Sequence, residues 1–137
     1  MTDSPESIRI PITTDADIVL ARQSGRDMAE QMDCSATDAT LLATAISEVA
    51  RNIVTHGGGG EVVLRVVDAE GERAIEVVAS DRGPGIADLS RAMQDGYSTG
   101  NGLGLGLPGA RRLMDEFEVT SEVGVGTTVV MRMWRSR

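Results

Sequence analysis

A glycine-rich stretch in the C-terminal third of the chain has the residue types of a phosphate-binding loop. Glycine occupies every second position from Gly100 to Gly106, and leucines fill the later intervening positions. Glycine lets another group approach the backbone closely, and bare N–H groups in such a loop can form a concavity for an anion. From Leu107 onward the pattern becomes helical, and a glycine-rich loop that leads into a helix N-terminus is a ready phosphate site.

Two other interpretations of this stretch have less support. Gly104–Gly109 matches the dinucleotide fingerprint G-x-G-x-x-G, but that fingerprint needs a hydrophobic strand directly before it, and residues 94–99 do not supply one. No Gly-Lys-Ser/Thr follows, so the stretch is not a Walker A loop. A flexible surface linker would not require leucines that alternate with its glycines, so this interpretation is also disfavoured.

Polar residues that could act on a ligand also follow one row of a strongly amphipathic segment. Its apolar residues recur at spacings of three and four, the pattern of a buried helix face: Leu41, Leu42, Ala45, Ile46, Val49 and Ile53. Glu48 and Asn52 lie one helical turn apart at the edge of this face, and His56 continues the row. A carboxylate and a carboxamide at the rim of a core can reach into a site.

A further acceptor stands at a sharp turn. Asp81 follows a predicted strand and begins the sequence Asp81-Arg82-Gly83-Pro84-Gly85-Ile86. The two glycines flank a proline, so the chain turns tightly and rigidly. Here Asp81 could direct an acceptor into a pocket, and the alternative is an ordinary turn aspartate.

The composition restricts the partners. The net charge is -8, from 13 basic and 21 acidic residues, whereas nucleic-acid binding needs a basic footprint. We therefore expect no nucleic-acid partner. Cys34 is the only cysteine, the N-terminus does not resemble a signal peptide, and no segment approaches the ~20 apolar residues of a membrane span. We expect a cytoplasmic protein that does not contact a membrane.

The elements that position these residues can be predicted from periodicity. We expect one domain over residues 1–137, with an aliphatic core. Strands are predicted over residues 7–12, 61–68, 73–80, 116–122 and 127–134, the first at a sheet edge because it contains Pro11. Helices are predicted over residues 15–32, 88–95 and 107–115. A further helix is predicted directly after the capping sequence that begins at Ser35.

Four of these segments stand in a fixed order and carry a resemblance: residues 48–52, 81–85, 100–106 and 124–128. Together they resemble the N, G1, G2 and G3 boxes of the GHKL superfamily of gyrase, Hsp90, histidine kinases and MutL. Within it, the chain is similar to the RsbT-type switch kinases, which are small anti-sigma serine/threonine kinases. The resemblance implies a Bergerat-type ATP-binding fold, an α/β two-layer sandwich with a mixed, mostly antiparallel sheet and helices on one face.

The resemblance also implies roles for the matching residues. Asn52 matches the residue whose side-chain oxygen binds Mg²⁺, Glu48 the catalytic base, and Asp81 the acceptor for the adenine amino group. Thr127 or Thr128 would support that aspartate. The other implied ATP-binding residues are Gly83, Gly85, Ile86, Gly100, Gly102, Leu103, Gly104, Leu105 and Gly106.

The implied activity is transfer of the ATP γ-phosphate to Ser or Thr of a STAS-domain antagonist or scaffold protein in a bacterial partner-switching stress pathway. A PP2C-type phosphatase, activated by the released kinase, is the implied second partner. The alternative is an anti-sigma factor that sequesters a sigma factor through its helical face. A third hypothesis, a degenerate regulatory ATP-binder, does not agree with the intact Glu48, Asn52 and Asp81.

Overall fold

The structure is a computed structural model that describes residues 7–69, 71–87, 93 and 107–135. Five strands form one sheet: β1 (Ser7–Ile12), β2 (Gly60–Ala69), β3 (Glu72–Asp81), β4 (Glu116–Glu122) and β5 (Gly126–Trp134). Their order is β1-β2-β3-β5-β4, and neighbouring strands are antiparallel throughout. β1 lies at an edge, as Pro11 predicts, because proline has no N–H to donate to a second neighbour.

Three helices are described: α1 (Asp15–Gln31), α2 (Ala36–Thr55) and α3 (Leu107–Leu113). At the start of α1, Oδ2 of Asp17 accepts hydrogen bonds from the backbone N–H groups of Thr13 at 2.8 Å and Thr14 at 3.0 Å. These backbone hydrogen bonds lower the pKa of Asp17. Ser35 caps α2, and its Oγ accepts the N–H of Asp38 at 3.0 Å. None of the helices described is long and apolar enough to cross a bilayer.

The core lies between the helices and one face of the sheet. Its largest fully buried side chains are Ile12, Met28, Leu42, Ile46, Val49, Ile53, Val62, Leu64, Ile75, Leu107, Met131 and Met133. They are all aliphatic, as the composition predicts. Gly25 is also buried, where α1 packs on α2. A Cβ at this position would overlap the side chain of Ile46, so the close packing of the two helices requires glycine.

The opposite face of the sheet carries a row of alternating charges on adjacent strands. Glu76 is 2% exposed, and its carboxylate accepts hydrogen bonds from Arg65 Nε at 2.6 Å and from Arg132. Arg132 also pairs with Glu116 at 3.3 Å. Burial raises the pKa of Glu76, but the hydrogen bonds from the two arginines outweigh it, so the pKa lies below its usual value.

The predicted elements are confirmed wherever the structure describes them, with small differences at their ends. Ala69 pairs with Glu72, so the turn between β2 and β3 is tighter than expected. β5 begins one residue early, since Gly126 pairs with Glu122. The sheet expected to be mixed has only antiparallel pairings among the described strands. The helix predicted over residues 88–95 lies, apart from residue 93, outside the described residues.

Candidate functional site

A cleft opens where α2, the end of β3 and the start of β5 meet. The residues that line it are Val49, Asn52, Ile53, His56, Ala79, Asp81, Gly85, Ile86, Leu107, Thr127 and Val129. Mostly aliphatic walls interrupted by a few polar side chains are typical of a small-molecule site. The cleft volume is about 40 Å³, whereas a cavity of about 150 Å³ accepts a benzene ring. The described lining alone therefore encloses less space than such a ligand occupies.

The helix α2 presents Asn52 and His56 to the cleft from successive turns, with Val49 and Ile53 beside them. This is the row predicted from the helical spacing. Among the described residues, none hydrogen-bonds to the side chain of Asn52 or His56. No side chain or backbone group of the described residues therefore occupies either polar group.

The carboxylate of Asp81 lies at the end of β3. Its Oδ1 accepts hydrogen bonds from the backbone N–H groups of Gly83 at 2.8 Å and Thr127 at 3.3 Å. The first of these bonds closes the turn after β3, and the second ties that turn to β5. Since both bonds fall on Oδ1, Oδ2 remains an acceptor for a ligand. The recognition role of Asp81 stays a prediction.

The glycines of this turn are required by close packing of the chain. A Cβ on Gly83 would lie 2.7 Å from the Cα of Gly57, which follows α2. Gly85 has a φ of 78°, and a Cβ there would overlap the carbonyl of Glu122 on β4. Gly85 and Ile86 line the cleft, whereas Gly83 fastens the turn to the residues after α2.

Thr127 and Thr128, between which the sequence does not choose, lie on opposite faces of β5. Thr127 lines the cleft together with Val129, two residues further along the strand. Successive side chains of a strand point to opposite faces, so Thr128 faces the other side of the sheet and does not line the cleft. Of the two, Thr127 therefore lies at the cleft and Thr128 does not, and the support role stays a prediction.

Sequence reasoning missed Ser121, which joins three segments beside Asp81. Its Oγ accepts the N–H of Ile86 at 2.7 Å, lies 3.2 Å from the carbonyl oxygen of Gly126, and lies 2.8 Å from Oγ1 of Thr127. The signal that could have found it is the alternation of β4, where Ser121 is a polar residue on the face of Phe117 and Val119.

The proposed base, Glu48, does not line the cleft. It lies one turn before Asn52 on α2, and its Oε2 is 3.3 Å from Nη1 of Arg51. Both side chains are substantially exposed, so this ion pair holds the carboxylate only weakly. The role of Glu48 stays a prediction.

The predicted phosphate-binding residues Gly100, Gly102, Leu103, Gly104, Leu105 and Gly106 lie outside the described residues. Leu107 follows them directly, begins α3 and lines the cleft. The first described residue after the glycine-rich stretch therefore lies in the wall of the cleft.

The described side chains hold no cluster of three His, Cys, Asp or Glu residues that could bind a metal ion. Mg²⁺ is often bound through one or two protein oxygens together with substrate phosphates. The carboxamide oxygen of Asn52 is a donor of this kind. The site therefore fits a magnesium ion that arrives with a nucleotide.

Comparison with known proteins relates this geometry to a family. Residues 12–133 match the family described as "Histidine kinase-like ATPase domain". The chain is 44% identical over 125 residues to the serine/threonine-protein kinase RsbT of Bacillus subtilis, covering 91% of this chain and 94% of that protein. It is 32% identical over 107 residues to the anti-sigma F factor of Halalkalibacterium halodurans, covering 74% of this chain and 73% of that protein.

A solved structure has the same fold. The crystal structure of the RsbU and RsbW domains of Rv1364c from Mycobacterium tuberculosis superposes with a TM-score of 0.63 at 23% identity. The match covers 96% of this chain and 32% of that one, so the chain corresponds to about a third of the larger protein.

Proposed function

The chain belongs to the histidine kinase-like ATPase domain family, and we propose that it is an ATP-dependent protein serine/threonine kinase of a partner-switching pathway. A relative named as a serine/threonine-protein kinase shares 44% identity over nearly its whole length. The observation that carries the site assignment is the convergence of Asn52, Asp81 and Thr127, from three separate elements, on one cleft.

Each polar residue of the cleft has a distinct proposed task. Asp81 accepts a hydrogen bond from the adenine amino group through its Oδ2, and Thr127 supports it. Asn52 contributes its side-chain oxygen to Mg²⁺, which when bound neutralises charge on the phosphates. The loop that includes Gly102, Gly104 and Gly106 binds the phosphates through backbone N–H groups.

The reaction itself needs positioning and charge neutralisation more than covalent chemistry. Glu48 would accept the proton of a serine or threonine hydroxyl as the oxygen attacks the γ-phosphorus and the bond to the β-phosphate oxygen breaks. The exposure of Glu48 outside the cleft suits this task, because a protein substrate must reach it from solvent. The ion pair with Arg51 is itself exposed and leaves the Glu48 carboxylate accessible.

We propose a STAS-domain antagonist or scaffold protein as the phosphate acceptor, and a PP2C-type phosphatase as a second partner in the same cytoplasmic pathway. The test is phosphorylation of purified STAS proteins with Mg-ATP. Glu48→Gln should lower the rate about 10²- to 10⁴-fold while ATP still binds, because it removes only the base. Asp68→Asn, at an exposed pair on the β2–β3 hairpin, is the matched control.

A wild-type protein that binds ATP but phosphorylates no STAS protein, with Glu48→Gln indistinguishable from it, contradicts the kinase assignment. The anti-sigma function is the second candidate, because a relative at 32% identity is named as an anti-sigma F factor. A stable complex with a sigma factor on size-exclusion chromatography, without binding to STAS proteins or phosphatase, would favour it.

A further inference from the structure

Ser121 is the centre of a hydrogen-bond network at the Asp81 end of the cleft. We propose that Ser121 is a positioning residue that makes the Thr127 hydroxyl an acceptor only, and that the cleft thereby selects 6-aminopurine over 6-oxopurine nucleotides. This inference rests on the proposed nucleotide site and assigns its base specificity.

The polarity of the network follows from the number of protons available. Ser121 Oγ accepts the N–H of Ile86 at 2.7 Å. The carbonyl of Gly126, 3.2 Å away, can only accept, so this contact is a hydrogen bond only if Ser121 donates its single proton to it. The 2.8 Å contact between Ser121 Oγ and Thr127 Oγ1 is then a hydrogen bond only if Thr127 donates. In this arrangement all three contacts are hydrogen bonds.

As a consequence, the described side chains at this end of the cleft, those of Asp81 and Thr127, offer a ligand acceptors and no donor. In this arrangement the Thr127 proton is directed to Ser121, and Oγ1 offers only lone pairs to a ligand. Asp81 has its Oδ1 engaged by two backbone N–H groups and offers Oδ2, which is also an acceptor. A base with an amino group finds hydrogen-bond partners here, whereas a carbonyl at the same position meets lone pairs and is left unpaired.

The position of Ser121 suits this task. Ser121 and Thr127 are direct partners in the β4–β5 pairing, and their side chains therefore lie on the same face of the sheet. Asn52 and His56, the cleft residues that could donate, come from α2 instead. If Ser121 merely fastened the turn through Ile86, its loss would weaken the binding of all nucleotides alike. The ratio of two affinities therefore separates positioning from a structural role.

The experiment measures the dissociation constants of ATP and ITP, whose hypoxanthine carries a carbonyl where adenine carries its amino group. The wild type should prefer ATP, and Ser121→Ala should reduce that preference about tenfold, because the freed Thr127 proton can then donate to the carbonyl. Thr127→Val should reduce it similarly. In the Thr127→Val background, Ser121→Ala should change the ratio no further, since Ser121 acts through Thr127.

Thr120→Ala is the matched control, because Thr120 is the exposed neighbour of Ser121 on the other face of β4. Its ATP-to-ITP ratio should equal that of the wild type. A wild-type ratio in Ser121→Ala, or fully additive effects in the double variant, overturns the inference. If Ser121→Ala does not fold, Thr127→Val decides, and an unchanged ratio there overturns it as well. A wild-type protein that binds neither nucleotide contradicts the proposed function instead.

Discussion

The carboxylate of Asp81 divides its two oxygens between the fold and the cleft. Oδ1 holds the turn after β3 and the start of β5, and Oδ2 is left for a ligand. Asp81→Asn would present an amide donor where the adenine amino group also donates. We expect the ATP dissociation constant to rise about 10- to 100-fold, because a buried polar group then lacks a partner.

Isothermal titration calorimetry checks this prediction, with Asp68→Asn as the control. Asp68 pairs with exposed Arg73 on the β2–β3 hairpin, away from the cleft lining, and its substitution should leave ATP binding unchanged. An Asp81→Asn affinity equal to that of the wild type would mean that another group recognises the base.

Glu76 gives a prediction about stability and pH. Its pKa is lowered in the folded protein, so its ionised form stabilises the fold above the unfolded-state value of 4.5, and this contribution is lost as the pH falls through the folded-state pKa. Glu76→Gln should cost about 1–3 kcal/mol at pH 7, less than for a fully buried pair, because Arg65 and Arg132 are partly exposed.

Urea denaturation at pH 7 and pH 3 measures this contribution. The difference between wild type and Glu76→Gln should shrink at pH 3, because below 4.5 the unfolded state takes up the proton first and the contribution of the carboxylate falls. An equal difference at both pH values would show that packing, and not charge, sets the role of Glu76.

At the scale of elements, the end of α2 packs directly against the end of β3. A Cβ on Gly57 would lie 2.6 Å from the Cβ and Cγ of Asp81. Gly57→Ala should therefore displace the Asp81 carboxylate and weaken ATP binding about tenfold or more, since small displacements of a positioned group are costly. Gly109→Ala on α3 is the control, because its Cβ would meet no atom of the described residues within 4 Å. Equal ATP affinity in both variants would contradict this coupling.

The elements themselves could be predicted because their signals are local. The spacing of Leu42, Ile46, Val49 and Ile53 is sufficient to define α2, and Ser35 marks its start. The charge row around Glu76 could not be predicted, since it depends on β3 pairing with β5, which follows it by more than 40 residues.

The residues of the candidate site, like the elements, could be predicted only where their signals are local. Asn52 and Asp81 follow from a helical row and a turn sequence, and the choice between Thr127 and Thr128 required the face of the strand. Ser121 could not be assigned, because its partner Ile86 lies 35 residues away in sequence. Contacts of this kind depend on strand order, which local patterns do not determine.

For the whole molecule, ATP should act as a stabilising ligand. A ligand at about 100 times its dissociation constant adds roughly 2.7 kcal/mol to the free energy of unfolding, which for a chain of 137 residues raises the Tm by roughly 10 °C. Differential scanning fluorimetry with Mg-ATP measures this shift. Asp81→Asn at the same ATP concentration should show a smaller shift. A Tm that does not respond to saturating ATP contradicts the nucleotide site.

The hydrogen bond from the Thr127 N–H to Asp81 spans 46 residues of sequence. On the ribosome, the wall of the cleft is therefore missing until β5 has left the exit tunnel. A chain that has not yet exposed β5 cannot hold a nucleotide in the way proposed for the folded domain. Nucleotide capture would thus report that β5 has emerged and paired with β3.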